Sequence, residues 1–177
     1  MNQWNKYIAK SYNAYFVITP RTWMNRKTLY DLPNKCDSLP SAIGYKMDTP
    51  PLFILLCSGE HEKIQMAAMA ASVAAVSERP VEVFVSMNAL NSFKNDPKGE
   101  RYSGGEFATL MNGQNVPDAI ELFEQGKILG EMKIFACSMA MDVAKVELED
   151  LRSEVVDGAG GLTKFLADAE AGQLVVF

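Results

Sequence analysis

The feature that most constrains this chain is an alternation of two patterns. Short apolar runs of strand length recur, and segments patterned for helix follow them. Leu52–Leu56 is a continuous apolar run, as a strand buried on both faces should be. Cys57-Ser-Gly-Glu60 turns the chain, with Ser58 available as a helix cap. Glu60–Ser77 then reads as a helix without Gly or Pro. Its apolar side is expected to hold Ile64, Met66, Ala67, Ala70, Ala71, Val73 and Ala74, and Met66 and Met69 are expected in the core. Glu78-Arg-Pro80 ends it, and Val81–Ser86 is the second strand. Asp118–Leu129 reads as a helix between Pro117 and Gly130. Lys133–Ala136 is a third strand, and Ser138–Ala144 opens a helix with Met139, Met141 and Val143 as its apolar positions. Ser153–Val156 reads as a short strand and Asp157–Gly161 as a Gly-rich turn. Leu162–Ala171 follows as a helix and Gln173–Phe177 as the last strand. Five strands alternating with helices predict an α/β fold: a mostly parallel sheet with right-handed crossovers.

Pro50-Pro51 divides the chain into an arm, residues 1–50, and a domain, residues 51–177. The arm holds both tryptophans, Trp4 and Trp23, and five of the six tyrosines. Apart from a possible strand at Ala14–Thr19 it shows no regular pattern, yet such an aromatic load has to be buried somewhere. With seven Lys/Arg against three Asp/Glu, the arm carries +4, so a total of −5 leaves −9 on the domain. A basic arm on an acidic body is expected to dock on protein, and an acidic body disfavours nucleic acid. Residues 95–117 form the one long stretch of weak pattern, with a helical turn expected at Phe107–Met111. A loop of that length after a strand end is expected near the functional rim.

Several classes are disfavoured at once. No apolar run is long enough to span a bilayer, and Met1–Ile8 lacks the apolar core of a signal peptide, so a cytoplasmic location is expected. Three cysteines, Cys36, Cys57 and Cys137, without a Cys-x-x-Cys pair argue against a disulfide framework and a zinc site. The single histidine, His61, argues against a multi-histidine metal centre, and no metal or cofactor is expected. Asp157-Gly-Ala-Gly-Gly161 is not a phosphate loop, since no Gly-Lys-Ser/Thr follows, and the first strand lacks a Gly-x-Gly-x-x-Gly turn.

Cys137 stands where the third strand becomes a helix, the place where open α/β sheets bind ligands. The N–H groups of the first helical turn favour thiolate there, which makes the thiol a candidate nucleophile. Ser138 and Met139 supply the backbone N–H groups that would hold added negative charge. The competing reading makes Cys137 a small apolar residue packed under the helix. Asp142 is expected to turn away from the sulfur. Cys57 ends the first strand, and two auxiliary residues follow from its position. Cys57 itself would share a rim with Cys137 if their strands neighboured, and His61 would lie over that rim to tune a thiolate. For both, the plainer alternative is a buried strand-end thiol and a solvated imidazole.

Ala136-Cys-Ser-Met-Ala-Met-Asp142, together with Asp157-Gly-Ala-Gly-Gly-Leu-Thr-Lys-Phe165, resembles the DsrE/DsrF-like family of sulfur-relay proteins. The likeness extends back to Leu56-Cys-Ser-Gly-Glu-His-Glu-Lys63 and covers roughly residues 51–177, leaving the arm unmatched. The resemblance implies a flavodoxin-like three-layer domain with a five-stranded sheet. It implies a sulfur carrier or sulfurtransferase that accepts sulfane sulfur or thiosulfate on Cys137 and passes it to a partner thiol protein, TusA-like or rhodanese-like. It also implies a homo-oligomer, a trimer or a hexamer. Two other readings of the residues remain open: an assembly module in which Cys137 is merely packed, and a flavin or anion binder that uses the strand-end rim.

Overall fold

The computed structural model describes residues 49–97, 99–112 and 114–177. The expectations for the arm, including Cys36 and the strand at Ala14–Thr19, fall outside the described residues. The strands are β1 (Leu52–Leu56), β2 (Val81–Val85), β3 (Met132–Cys137), β4 (Gly158–Gly160) and β5 (Gln173–Val176). The helices are α1 (His61–Val76), α2 (Glu106–Asn112), α3 (Ala119–Leu129), α4 (Ser138–Ala144) and α5 (Leu162–Ala169). A 3₁₀ segment covers Met87–Phe93 and a shorter one Leu148–Asp150. All strands pair in parallel, in the order β4-β3-β2-β1-β5, giving a flavodoxin-like three-layer α/β domain.

The register divides the side chains cleanly. Leu52, Ile54 and Leu56 align with Val81, Val83 and Val85, and these with Met132, Ile134 and Ala136, on one face. α1 and α3 cover that face: the Met132 methyl lies where a side chain on Gly126 of α3 would go. The two helices are joined by the Ser72 hydroxyl, which donates to the Leu122 carbonyl at 2.6 Å. Phe53, Glu82 and Lys133 form a row on the opposite face, and Leu55, Phe84 and Phe135 the next. There α5 lays the Phe165 ring against Phe84, with centroids 5.0 Å apart, and edge-on against Phe53 at 5.9 Å.

The fourth strand is not where the sequence reading put it. Val155 and Val156 are buried, but in a turn, their N–H groups donating to the Arg152 carbonyl. The strand is the glycine run itself. Asp157 starts it: its N–H donates to the Ile134 carbonyl, and its carboxylate accepts the Ile134 N–H at 2.7 Å. Its other oxygen accepts from the Lys127 ammonium, which also reaches the Val155 carbonyl. The strand runs beside two phenylalanines: a side chain on Gly160 would meet Phe135 and Phe84 at 3.5 Å, ordinary van der Waals contact.

Four other expectations change. Met66 and Met69 lie on the exposed outer side of α1, because alanines fill the side that meets the sheet. Met139 and Val143 are exposed, and Ala140 and Met141 make the buried side of α4. Ser58 does not cap α1: its hydroxyl accepts the Glu60 N–H, and Glu60 stands at the cap position. α2 is a full helix rather than one turn, its start held by the Glu62 carboxylate, which accepts the Ala108 N–H. Among the described residues no helix is long and apolar enough to cross a membrane.

Candidate functional site

The carboxyl ends of the strands make one rim. The ladder runs one residue past β1, since the Cys57 N–H donates to the Phe177 carbonyl at 2.8 Å. The Ser86 N–H likewise donates to the Leu56 carbonyl. Side chains alternate along a strand, so Cys57 follows Leu55, Ser86 follows Phe84 and Cys137 follows Phe135, all onto the α5 side. Cys57, Ser86 and Cys137 therefore stand level in a row, above a floor of Leu55, Phe84 and Phe135. Ser86 went unnoticed in the sequence, where nothing distinguishes a serine that ends a strand.

Cys137 is the cap residue of α4, as its position predicted, and is 4% exposed. Ser138 and Met139 form the exposed first turn. Asp142 is exposed as well. Cys57 is half-buried. Burial pushes its thiol above the usual range, and negative charge on Cys137 pushes it further the same way.

The strands of the two thiols are not neighbours, since β2 lies between them, yet the thiols share the rim. With strands about 4.8 Å apart, the Cα atoms of Cys57 and Cys137 are about 9–10 Å apart. A disulfide needs about 4.4–6.8 Å, so the two cannot bridge directly without movement of the backbone. His61 is engaged with the loop that follows β2. Its ring stacks on Tyr102 at 4.4 Å and 8°, and the Tyr102 hydroxyl donates to the Asp118 carboxylate at 2.8 and 2.9 Å. Burial, then the Asp118 charge, holds the Tyr102 phenol well above its ordinary value. Asp118 also caps α3 through the Ile120 N–H. The sequence carried one faint signal of this cluster: Tyr102 is the only tyrosine outside the aromatic arm.

The long segment after β2 lies along the rim, as expected of a loop that follows a strand end. Ser103 donates its N–H to the Gly59 carbonyl and accepts the His61 N–H, adding a bridge beside the turn after Cys57. Arg101 holds its own loop closed, donating to the Ser92 and Lys94 carbonyls. Met87 begins the excursion in left-handed backbone, φ 51°, an uncommon conformation for a residue with a side chain. Between these pieces is a cavity of about 460 Å³, lined by Gly59, Asn88, Lys94, Arg101, Tyr102 and Ala144 among others. It borders the turns that follow the thiols, but neither thiol lines it. Among the described residues no group of three or more His, Cys, Asp or Glu could hold a metal ion.

No family model matches the chain, and no curated protein does. Among solved structures the chain is similar to a protein of unknown function, MTH1491 from Methanobacterium thermoautotrophicum, at 12% identity. The match covers 72% of this chain and 99% of that one, with a TM-score of 0.49. A likeness at this level carries no argument about function.

Proposed function

We propose that the chain is a sulfur carrier that takes sulfane sulfur or thiosulfate on Cys137 and yields it to a partner thiol protein of the relay type. The observation that supports this most is the placement of Cys137 at the carboxyl end of β3, at the head of α4 and level with a second thiol. In this reading the Cys137 thiolate attacks the outer sulfur of a polysulfide. The S–S bond behind that sulfur breaks, the shortened polysulfide leaves with the electron pair, and Cys137 becomes a persulfide. With tetrathionate the leaving group is thiosulfate, and a thiosulfonate remains on Cys137. A partner thiolate then attacks the sulfur bonded to the Cys137 Sγ; the bond between them breaks, Cys137 leaves as thiolate, and the partner carries the transferred group. No net oxidant is consumed in either transfer. Cys57, its pKa raised, stays a thiol near neutral pH and serves as a neighbour rather than as the first nucleophile. The carrier works as a homo-oligomer, a trimer or hexamer, in the cytoplasm.

Burial of Cys137 is the observation on the other side, and it favours the assembly-module reading. Intact-mass spectrometry after incubation with polysulfide or tetrathionate separates the two. The carrier gains whole sulfur atoms or thiosulfate, loses them to dithiothreitol, and gains nothing as Cys137→Ser. Folded, reduced protein that stays unmodified at Cys137 overturns the proposal.

A further inference from the structure

The outer side of α1 has the wrong character for a helix facing water. From Ile64 to Ser77 it carries no charged residue on any side. Its inner side is filled by Ile64, Ala67, Ala68, Ala71 and Ala75, all buried against the sheet and α3. Its outer side nonetheless presents Met66, Met69 and Val73, which are 52%, 47% and 66% exposed. A helix that is apolar all round is one that is covered all round.

The patch does not stop at α1. Exposed Phe107 and Leu110 of α2 lie at the end where α1 begins, since the Glu62 carboxylate holds the start of α2. Exposed Ile128 of α3 lies at the other end, beside Gly130, which packs on the Ala75 carbonyl. Together these six side chains expose on the order of 700 Å² of apolar surface, close to the roughly 800 Å² each partner contributes to a standard interface. It is also at the upper limit of what a lone chain usually leaves uncovered.

We propose that this face is covered by the same face of a second copy, with the two α1 helices antiparallel across a two-fold axis near Met69 and Ala70. The spacing is self-complementary. About that axis Met66 of one copy faces Val73 of the other, and the small Ala70 lets the helices approach closely. The ends of the stripe are charged: Lys63, paired with Glu60 at 3.0 Å, stands at one end and exposed Glu78 at the other, and antiparallel helices bring Glu78 toward the Lys63 end of the partner. Such a contact is isologous and closes on itself, so assemblies built with it contain an even number of chains, and of the trimer and hexamer proposed above it selects the hexamer. The pairing does not depend on sulfur chemistry at Cys137.

The test uses the full chain. Light scattering or sedimentation at micromolar concentration is expected to show a dimer or a multiple of one. Val73→Lys, exposed within one chain and therefore compatible with its folding, is expected to reduce the mass at least twofold while far-ultraviolet circular dichroism is unchanged. Met69→Cys is expected to form a covalent dimer under mild oxidant, which the natural chain, treated alike, does not. Cys137→Ser is expected to keep the natural mass, so this result and a failed sulfur transfer stay distinct. A monomeric natural chain overturns the proposal, as does an oligomer unaffected by folded Val73→Lys or one in which Met69→Cys does not cross-link.

Discussion

On the face packed by α1 and α3, Ile54, Val83, Val85, Ile134 and Ala136 are wholly buried. On the other face, among the described residues, α5 supplies the cover, and Leu55, Glu82, Phe135 and Lys133 all keep some contact with solvent. The same strands make both faces, so the difference comes from the connections: two long helices return on one side and one short helix on the other. The thickly covered face concentrates the apolar burial that holds the domain together. The thin one carries charge in its lower row and thiols at its upper edge. If the proposed carrier reading holds, an incoming donor has less to displace there.

The largest effect that tests this contrast is a pair of truncations. Phe123→Ala, on the α3 side and fully buried, is expected to cost about 3–5 kcal/mol in urea unfolding. Phe135→Ala, half-buried on the other face, is expected to cost no more than half of that. Equal losses would break the contrast. Next comes Asp157→Ala, which leaves the Ile134 N–H without its carboxylate and frees Lys127 from its ion pair; a loss of about 1–3 kcal/mol is expected. Amide exchange should then show β4 opening before the other strands, because the glycine run has few side-chain contacts to hold it.

The smallest effect concerns Glu82 in the thin face. Burial raises its pKa; Lys164 and Lys133 pull it down, while Asp168 pushes it up. The folded chain therefore holds that proton more tightly than the unfolded chain. Its contribution to stability is fully present below the ordinary value of 4.5 and is lost as pH rises through the raised one. Glu82→Gln is expected to flatten this part of the pH profile and to change stability at pH 7 by no more than about 0.5 kcal/mol. A steeper profile in the variant would mean that the carboxylate is stabilising where it sits.

Legibility in the sequence followed pattern length. β1 stood out because Leu52–Leu56 is apolar throughout, and α4 was bounded at Ser138 and Ala144 because the period changes sharply at Cys137. β4 was missed because Gly158–Gly160 has no hydrophobic pattern; what makes it a strand is an aspartate and the space beside two phenylalanines. Met66 and Met69 were misplaced because an apolar residue on a helix normally faces its own core, and here alanines already fill that side. Within the site, the rim positions of Cys57 and Cys137 follow from strand ends. The His61–Tyr102–Asp118 cluster joins residues that only a folded loop brings together.

One strand's width separates the two thiols, and that width decides how the rim meets oxidants. Reagents that trap adjacent dithiols as a ring find no ring to close. An oxidant oxidises each sulfur alone or joins it to an outside thiol as a mixed disulfide, and does not lock the pair together. The sheet acts as a spacer, holding the two thiols level on one rim and out of bonding reach of each other.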